Sequence, residues 1–119
     1  MVISCNLPEQ PKTTASEDIY FRNLEKKFKC KIEREISADY LSEINSSSGY
    51  YIELKKLPCI YLDTANLKVI SVDIAKNLYH EILNNDTIYK SITVVFSCDK
   101  GKDEKEIRPF DFDTKLLLD

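Results

Sequence analysis

Few side chains in this sequence have the type and spacing that chemistry needs. Nucleophilic triads of the serine or cysteine kind rely on a histidine, and the chain has one, His80. Its spacing puts it on the polar side of a helical stretch, opposite the stripe of Ile74, Ala75, Leu78, Tyr79, Ile82 and Leu83. That predicts a surface residue rather than a base. No G-x-S-x-G, H-E-x-x-H, Walker or G-x-G-x-x-G run occurs. In "DFD", Asp111 and Asp113 fall on one side of an extended segment, where they could face a divalent cation. Two carboxylates alone are a poor site, and Asp113 also stands where the N-cap of a last helical turn belongs, so no metal is expected. The run "DKGKDEKE" at 99–106 has its oxygen side chains at the wrong positions for a calcium loop, with lysines between them, and reads as a connecting hairpin. Cys5, Cys30, Cys59 and Cys98 form no C-x-x-C, and one histidine cannot complete a zinc ligand set with them. Apolar neighbours in "FKCKI", "LPCIYL" and "VVFSC" predict buried thiols at Cys30, Cys59 and Cys98. Export would admit one disulfide among these three. The chain is therefore expected to have no catalytic residue, cofactor or metal, and not to be an enzyme.

Size and charge narrow the rest. A length of 119 residues suits one domain with a core of its own. Two glycines leave no room for a phosphate-cradling loop, and no repeat or low-complexity run appears. The net charge of −3 lacks the basic surplus of a nucleic-acid binder, so no nucleic acid partner is expected. The local basic run "EKKFKCKIER" at 25–34 reads as a solvated lysine-rich face. No stretch approaches the ~20 apolar residues that span a bilayer.

The elements follow from periodicity. Thr14-Ala15-Ser16-Glu17 is a capping box, and Tyr20, Phe21, Leu24 and Phe28 recur behind it at helical spacing. A helix from about 15 to at least 28 is predicted. A break is expected near 30–36, where "KFKCKIE" alternates like a strand. A second helical piece is expected from a cap at Ser37 to about Asn45, then a loop at "NSSSG". "YYIELKKLP" predicts a half-buried strand stopped by Pro58, with Tyr50 and Tyr51 on opposite faces and so at most one of them in the core. "CIYLD" is a candidate short strand. A helix from about 72 to 84, capped by Ser71 and stopped at "NND", and a strand at 90–98 with Ile92, Val94, Phe96 and Cys98 inward, complete the centre. "IRPFDF" reads as an edge strand and "DTKLLLD" as a short capped helix, with at least two of Leu116, Leu117 and Leu118 packed. Strands polar on one face argue against a doubly wound sheet. The predicted fold is α+β, a small two-layer α/β sandwich whose mixed or mainly antiparallel sheet is covered by helices on one face.

The first residues remain. "VISC" has an aliphatic residue, a second aliphatic, a small residue and a cysteine, and Val2-Ile3-Ser4-Cys5 resembles the lipobox of bacterial lipoproteins. The resemblance implies that Cys5 is the lipid attachment site, and it implies a signal peptide upstream of Val2, which only Met1 precedes here. "NLPEQPKTTASE" behind it has two prolines and no helical period, and residues 1–13 read as a flexible tether ahead of a single domain over 14–119.

These readings together predict a non-enzymatic binding or accessory domain, held to the bacterial envelope through a lipid on Cys5 and touching the membrane only there. Its partner would be another protein, met on the sheet face that the helices leave open. The alternative is a cytoplasmic protein-binding module of immunity or antitoxin type that inhibits a partner protein, which small size, mild acidity and free thiols suit equally.

Overall fold

Helix α1 (Ala15–Phe28) begins where the capping box places it: the Thr14 hydroxyl accepts the Glu17 N–H, and the Glu17 carboxylate accepts the Thr14 N–H at 2.8 Å. It stops at Lys29, which turns left-handed (φ 53°) so that the Lys29 and Cys30 N–H groups both donate to the Glu25 carbonyl. This is a computed structural model, and it describes residues 12–38, 48–64, 66–86 and 88–117. Of the tether expected over 1–13, only Lys12 and Thr13 fall among them, both exposed and outside any element. Cys5 and the rest of the lipobox lie outside the described residues.

The chain then enters strand β1 (Lys31–Ala38). Ser37 therefore sits in a strand and caps no helix there, and residues 39–45 of that expected helix lie outside the described residues. The spacing of four between Ile32 and Ile36 is also two strand periods, so both point to the same face with Arg34 between them. Strand β2 (Ser48–Lys55) starts inside the "NSSSG" segment expected to be a loop. Gly49 belongs in it for lack of a side chain: a Cβ there would stand 2.9 Å from the Ser37 hydroxyl and 3.2 Å from that of Ser91.

After β2, "CIYLD" forms not a strand but a short helix, α2 (Ile60–Thr64), opened by the Tyr61 N–H donating to the Pro58 carbonyl. Proline breaks the β ladder yet suits the start of a helix. Helix α3 (Leu67–Asn77) starts earlier than its predicted cap: Asn66, not Ser71, accepts the Val69 N–H. Ser71 is interior, and its hydroxyl donates to the Lys68 carbonyl at 2.8 Å. A small serine can sit in the buried stripe because its own helix satisfies it. The helical path continues through a π turn (Leu78–Ile82) and ends at Asn84 and Asn85, both left-handed. Strand β3 (Tyr89–Asp99), a hairpin, edge strand β4 (Lys105–Asp113) and a 3₁₀ turn (Thr114–Leu117) finish the described chain. Of the three final leucines, Leu117 packs, Leu116 is exposed, and Leu118 lies outside the described residues.

The sheet order is β1-β2-β3-β4, with β1/β2 and β3/β4 antiparallel and β2/β3 parallel. This is the mixed α+β sheet that the alternation predicts. One face carries Ile32, Tyr50, Ile52, Leu54, Ile92, Val94, Phe96 and Cys98. These pack in one cluster with Leu24 and Phe28 of α1, Leu62 of α2, Ile74 and Ala75 of α3, Leu78 and Leu117. All the described helices share that cluster, so they lie on one side. Tyr50 is in the core and Tyr51 is half-buried on the opposite face.

One polar group joins the layers. Glu17, in the first turn of α1, is buried with Arg34 of β1 and Tyr50 of β2. Arg34 Nη1 donates to both carboxylate oxygens at 3.1 and 3.0 Å, and the Tyr50 hydroxyl donates at 2.5 Å. Burial pushes the Glu17 carboxyl up. The bonds from Tyr50 and Thr14 and the Arg34 guanidinium outweigh it and hold it below the usual carboxylate range.

Two outcomes follow. Leu78 is fully buried where the helical stripe meets the sheet, and Leu78→Ala should lower unfolding stability in urea by about 2–5 kcal/mol. Tyr50→Phe removes a hydroxyl bonded to a charged group and should cost about 1.5–3 kcal/mol at neutral pH. A depressed carboxyl stabilises above its unfolded value, about pH 4.3, and loses that contribution as pH falls through its folded value. The gap between wild type and Tyr50→Phe should therefore narrow in acid, which urea melts across pH would show.

Candidate functional site

The residues singled out for chemistry are not brought together. Asp111 and Asp113 share the open face of β4, but Asp111 accepts the Thr93 hydroxyl at 2.6 Å and Asp113 accepts the Lys115 N–H at 2.9 Å, the capping role expected of it. Among the described residues no group of three or more His, Cys, Asp or Glu side chains is placed to hold a metal. Residues 99–106 form the expected hairpin, closed by the Lys100 N–H on the Glu104 carbonyl and by the Lys100–Glu106 ion pair. In the basic run, Lys26, Lys27, Lys29 and Lys31 are solvated as expected, while Arg34 is drawn inside by Glu17.

Two of the three expected thiols are bonded to each other. Cys59 and Cys98 form a disulfide across a separation of 39 residues, with Cα atoms 5.2 Å apart. The chain reverses after β2, and the Leu57 N–H donates to the Ser97 carbonyl, which brings Cys59 over the end of β3. Periodicity places Cys98 inward but cannot show what comes back to meet it. Cys30 is the buried free thiol, pushed up to about 11 by burial and then by the Glu25 carboxylate, and so a poor nucleophile.

His80 is not the plain surface residue its helical position implies. It is half-buried, with Nδ1 2.6 Å from the Asn85 carboxamide oxygen and Nε2 against the Leu117 carbonyl. The π turn and the two left-handed asparagines bring these partners to it, and helical spacing carries no trace of either.

Among the described residues, a groove and one sheet face offer open surface. The first is a groove of 470 Å³ between α1 and α3. Leu24, Phe28, Ile70 and Ile74 give it apolar walls, and Tyr20, Asn23, Lys27, Asp73 and Asn77 supply polar groups. Burial pushes the Tyr20 hydroxyl up to about 12 against an opposing hydrogen bond with Asn77.

The second is the sheet face opposite the helices. Here the expectation of an uncovered polar surface needs correction, because Val95 and Ser97 are buried on it. Side chains from the neighbouring strands cover them. Glu53 reaches across from β2, accepts the Ser97 hydroxyl at 2.6 Å, and is met by Lys105 of β4 at 2.7 Å. Burial raises the Glu53 carboxyl, but the bonds from Lys105 and Ser97 bring it below its usual range. Beside this array stands Tyr51, opposite Glu35 in register, its hydroxyl donating to Glu53 at 3.3 Å. Burial and then the carboxylates of Glu53, Glu35 and Glu33 raise its phenol. The result is a half-buried aromatic ring beside the exposed carboxylate of Glu35, with Glu33 paired to Lys55 and Glu53 to Lys105.

No protein-family model, curated protein or solved structure matches the chain.

The disulfide gives a direct test of its own weight. Closing a loop of that separation restricts the unfolded chain by about 4 kcal/mol. Mild reduction, or the Cys59→Ser/Cys98→Ser pair, should lower unfolding stability by about that amount while leaving the far-ultraviolet circular dichroism unchanged.

Proposed function

We propose that this chain is a non-enzymatic protein-binding domain, lipid-anchored through Cys5 to a bacterial envelope membrane. The observation that carries the reading is the Cys59–Cys98 disulfide. Such bonds persist in the periplasm and at the cell surface and are rare in a reducing cytosol. An exported domain with Val2-Ile3-Ser4-Cys5 ahead of it suits a lipoprotein better than a cytoplasmic inhibitor. The partner is a protein segment bearing lysine or arginine, received on the open sheet face. Tyr51 offers a ring to a cation, and Glu35, opposite it in register on β1, is an exposed carboxylate.

The gene, expressed in a bacterium with its native upstream DNA, tests this. The wild-type product should partition into the detergent phase and carry a lipid mass at Cys5, and Cys5→Ala should remain aqueous. An aqueous wild-type product with Cys59 and Cys98 open to alkylation in intact cytosol would overturn the reading and favour the immunity or antitoxin type.

A further inference from the structure

We propose that the groove between α1 and α3 receives an amphipathic helix of a partner protein, with aspartate and glutamate flanking its apolar stripe. Each wall is one face of a helix: Leu24 and Phe28 stand a turn apart on α1, and Ile70 and Ile74 a turn apart on α3. The Tyr20 hydroxyl meets Asn77, and the Phe28 ring centre lies 6.3 Å from that of Tyr61 in α2, just ahead of α3. The two helices therefore run antiparallel. From Tyr20 to Phe28 the groove is about 12 Å long, the length of about two helical turns. A third helix laid along it reaches the floor with side chains at i, i+3, i+4 and i+7.

The apolar surface extends beyond the floor. Ile19, a turn before Asn23 on α1, is 57% exposed, and Val69, on the other wall and at the opposite end, is 61% exposed. Branched side chains left in water at both ends of an apolar groove form a patch that a partner can cover.

Charge selects that partner. Over α3 the groove continues as a hollow of 420 Å³, which shares Val69 and Asp73 and adds Lys68, Val72 and Lys76. With Lys27, three lysines surround one carboxylate, Asp73, in a chain whose net charge is −3. Among the described residues none of these four is in an ion pair, whereas Lys55, Lys100 and Lys105 each hold a glutamate. The Lys27 ammonium stands 5.4 Å from the centre of the Phe28 ring, over the apolar end of the groove. Acidic flanks meet these ammonium groups, and basic ones are repelled by them. A second copy placed groove to groove would bring lysines against lysines. An anionic bilayer matches the charge, but its flat surface does not fill a cleft between two helices.

The test is selection of a phage-displayed library of random peptides, about sixteen residues or about four helical turns long, on the purified full chain. Enriched peptides should repeat apolar residues at i, i+3, i+4 and i+7 with Asp or Glu beside them. Their binding should weaken about tenfold or more in Val69→Asp, and likewise in Lys27→Glu/Lys68→Glu. All three positions are exposed, so circular dichroism should show both variants folded. A synthetic peptide with its acids exchanged for lysine should prefer the Lys27→Glu/Lys68→Glu protein to wild type. Bound peptide should move the amide resonances of residues 20–28 and 68–77. No enrichment, enriched peptides without acidic residues, binding unchanged in both variants, or shifts confined to the sheet face would each overturn the proposal. Self-association of the chain, or its binding to anionic vesicles, that is lost in Val69→Asp would give the groove to a second copy or to a membrane, and would overturn it too. None of these readouts depends on a lipid at Cys5 or on the sheet face as a binding surface.

Discussion

Strands β2 and β3 are parallel neighbours, and this constraint organises the molecule. Parallel strands cannot be joined by a tight turn; the chain must cross back over the sheet. The described residues between Lys56 and Asn85 belong to that return. It supplies α2, α3 and the π turn, and hence most of the helical layer. It also explains the disulfide, because a crossover leaving the end of β2 must pass the end of its parallel partner, where Cys98 waits. His80 owes its setting to the same path: the return ends at Asn84 and Asn85, folds back, and enters β3 beside the C-terminal turn.

The second organising feature is where the polar groups sit. Glu17 and Arg34 are removed from water, which costs each of them several kcal/mol unless the geometry is nearly complete. For the carboxylate it is: Glu17 takes both bonds from Arg34, one from Tyr50 and one from the Thr14 N–H. A shift of α1 along the sheet by one turn, about 5.4 Å, would leave both charges buried and unmatched. The apolar contacts of Leu24 and Phe28 would tolerate such a slide far better. The ion pair thus selects one placement of the helix, while hydrophobic burial supplies the general drive to cover the sheet. On the opposite face Glu53 plays a similar part across three strands, taking Ser97 and Lys105 and fixing the side chains that bury Val95 without any helix.

What could be read from the sequence divides along the same line. Local patterns were legible. The Thr14–Glu17 box starts α1 where expected, the alternation of Ile92, Val94, Phe96 and Cys98 marks the inward face of β3, and Asp113 caps the last turn. Ambiguous periods were not. Ile32 and Ile36 fit either element until β2 pairs with them, and Ser71 resembles a cap although it is a small interior residue satisfied within its helix. Contacts between distant segments left no local trace at all. The Cys59–Cys98 bridge spans 39 positions, the Leu117 carbonyl beside His80 lies 37 positions on, and Arg34 is drawn out of a run of solvated lysines by Glu17, 17 positions before it. The candidate surfaces share this limit. Tyr51 announces itself only as the outward member of a tyrosine pair, and its setting comes from the register with Glu35.

That contrast bears on how the domain could work. Its chemistry-bearing side chains are spent on architecture: Glu17 and Arg34 on a helix, Glu53 and Lys105 on a sheet face, Asp111 and Asp113 on a strand and a turn, Cys59 and Cys98 on a crossover. Each of these is held by a partner that the fold itself needs. Side chains that remain free to engage something else, such as Tyr51 and Glu35, sit on a sheet made rigid by four paired strands. A rigid face lowers the ordering cost of association, because little of the surface must be immobilised when a partner arrives. On the proposed reading, charge would set which segments approach that face and the aromatic ring would supply contact area once they do.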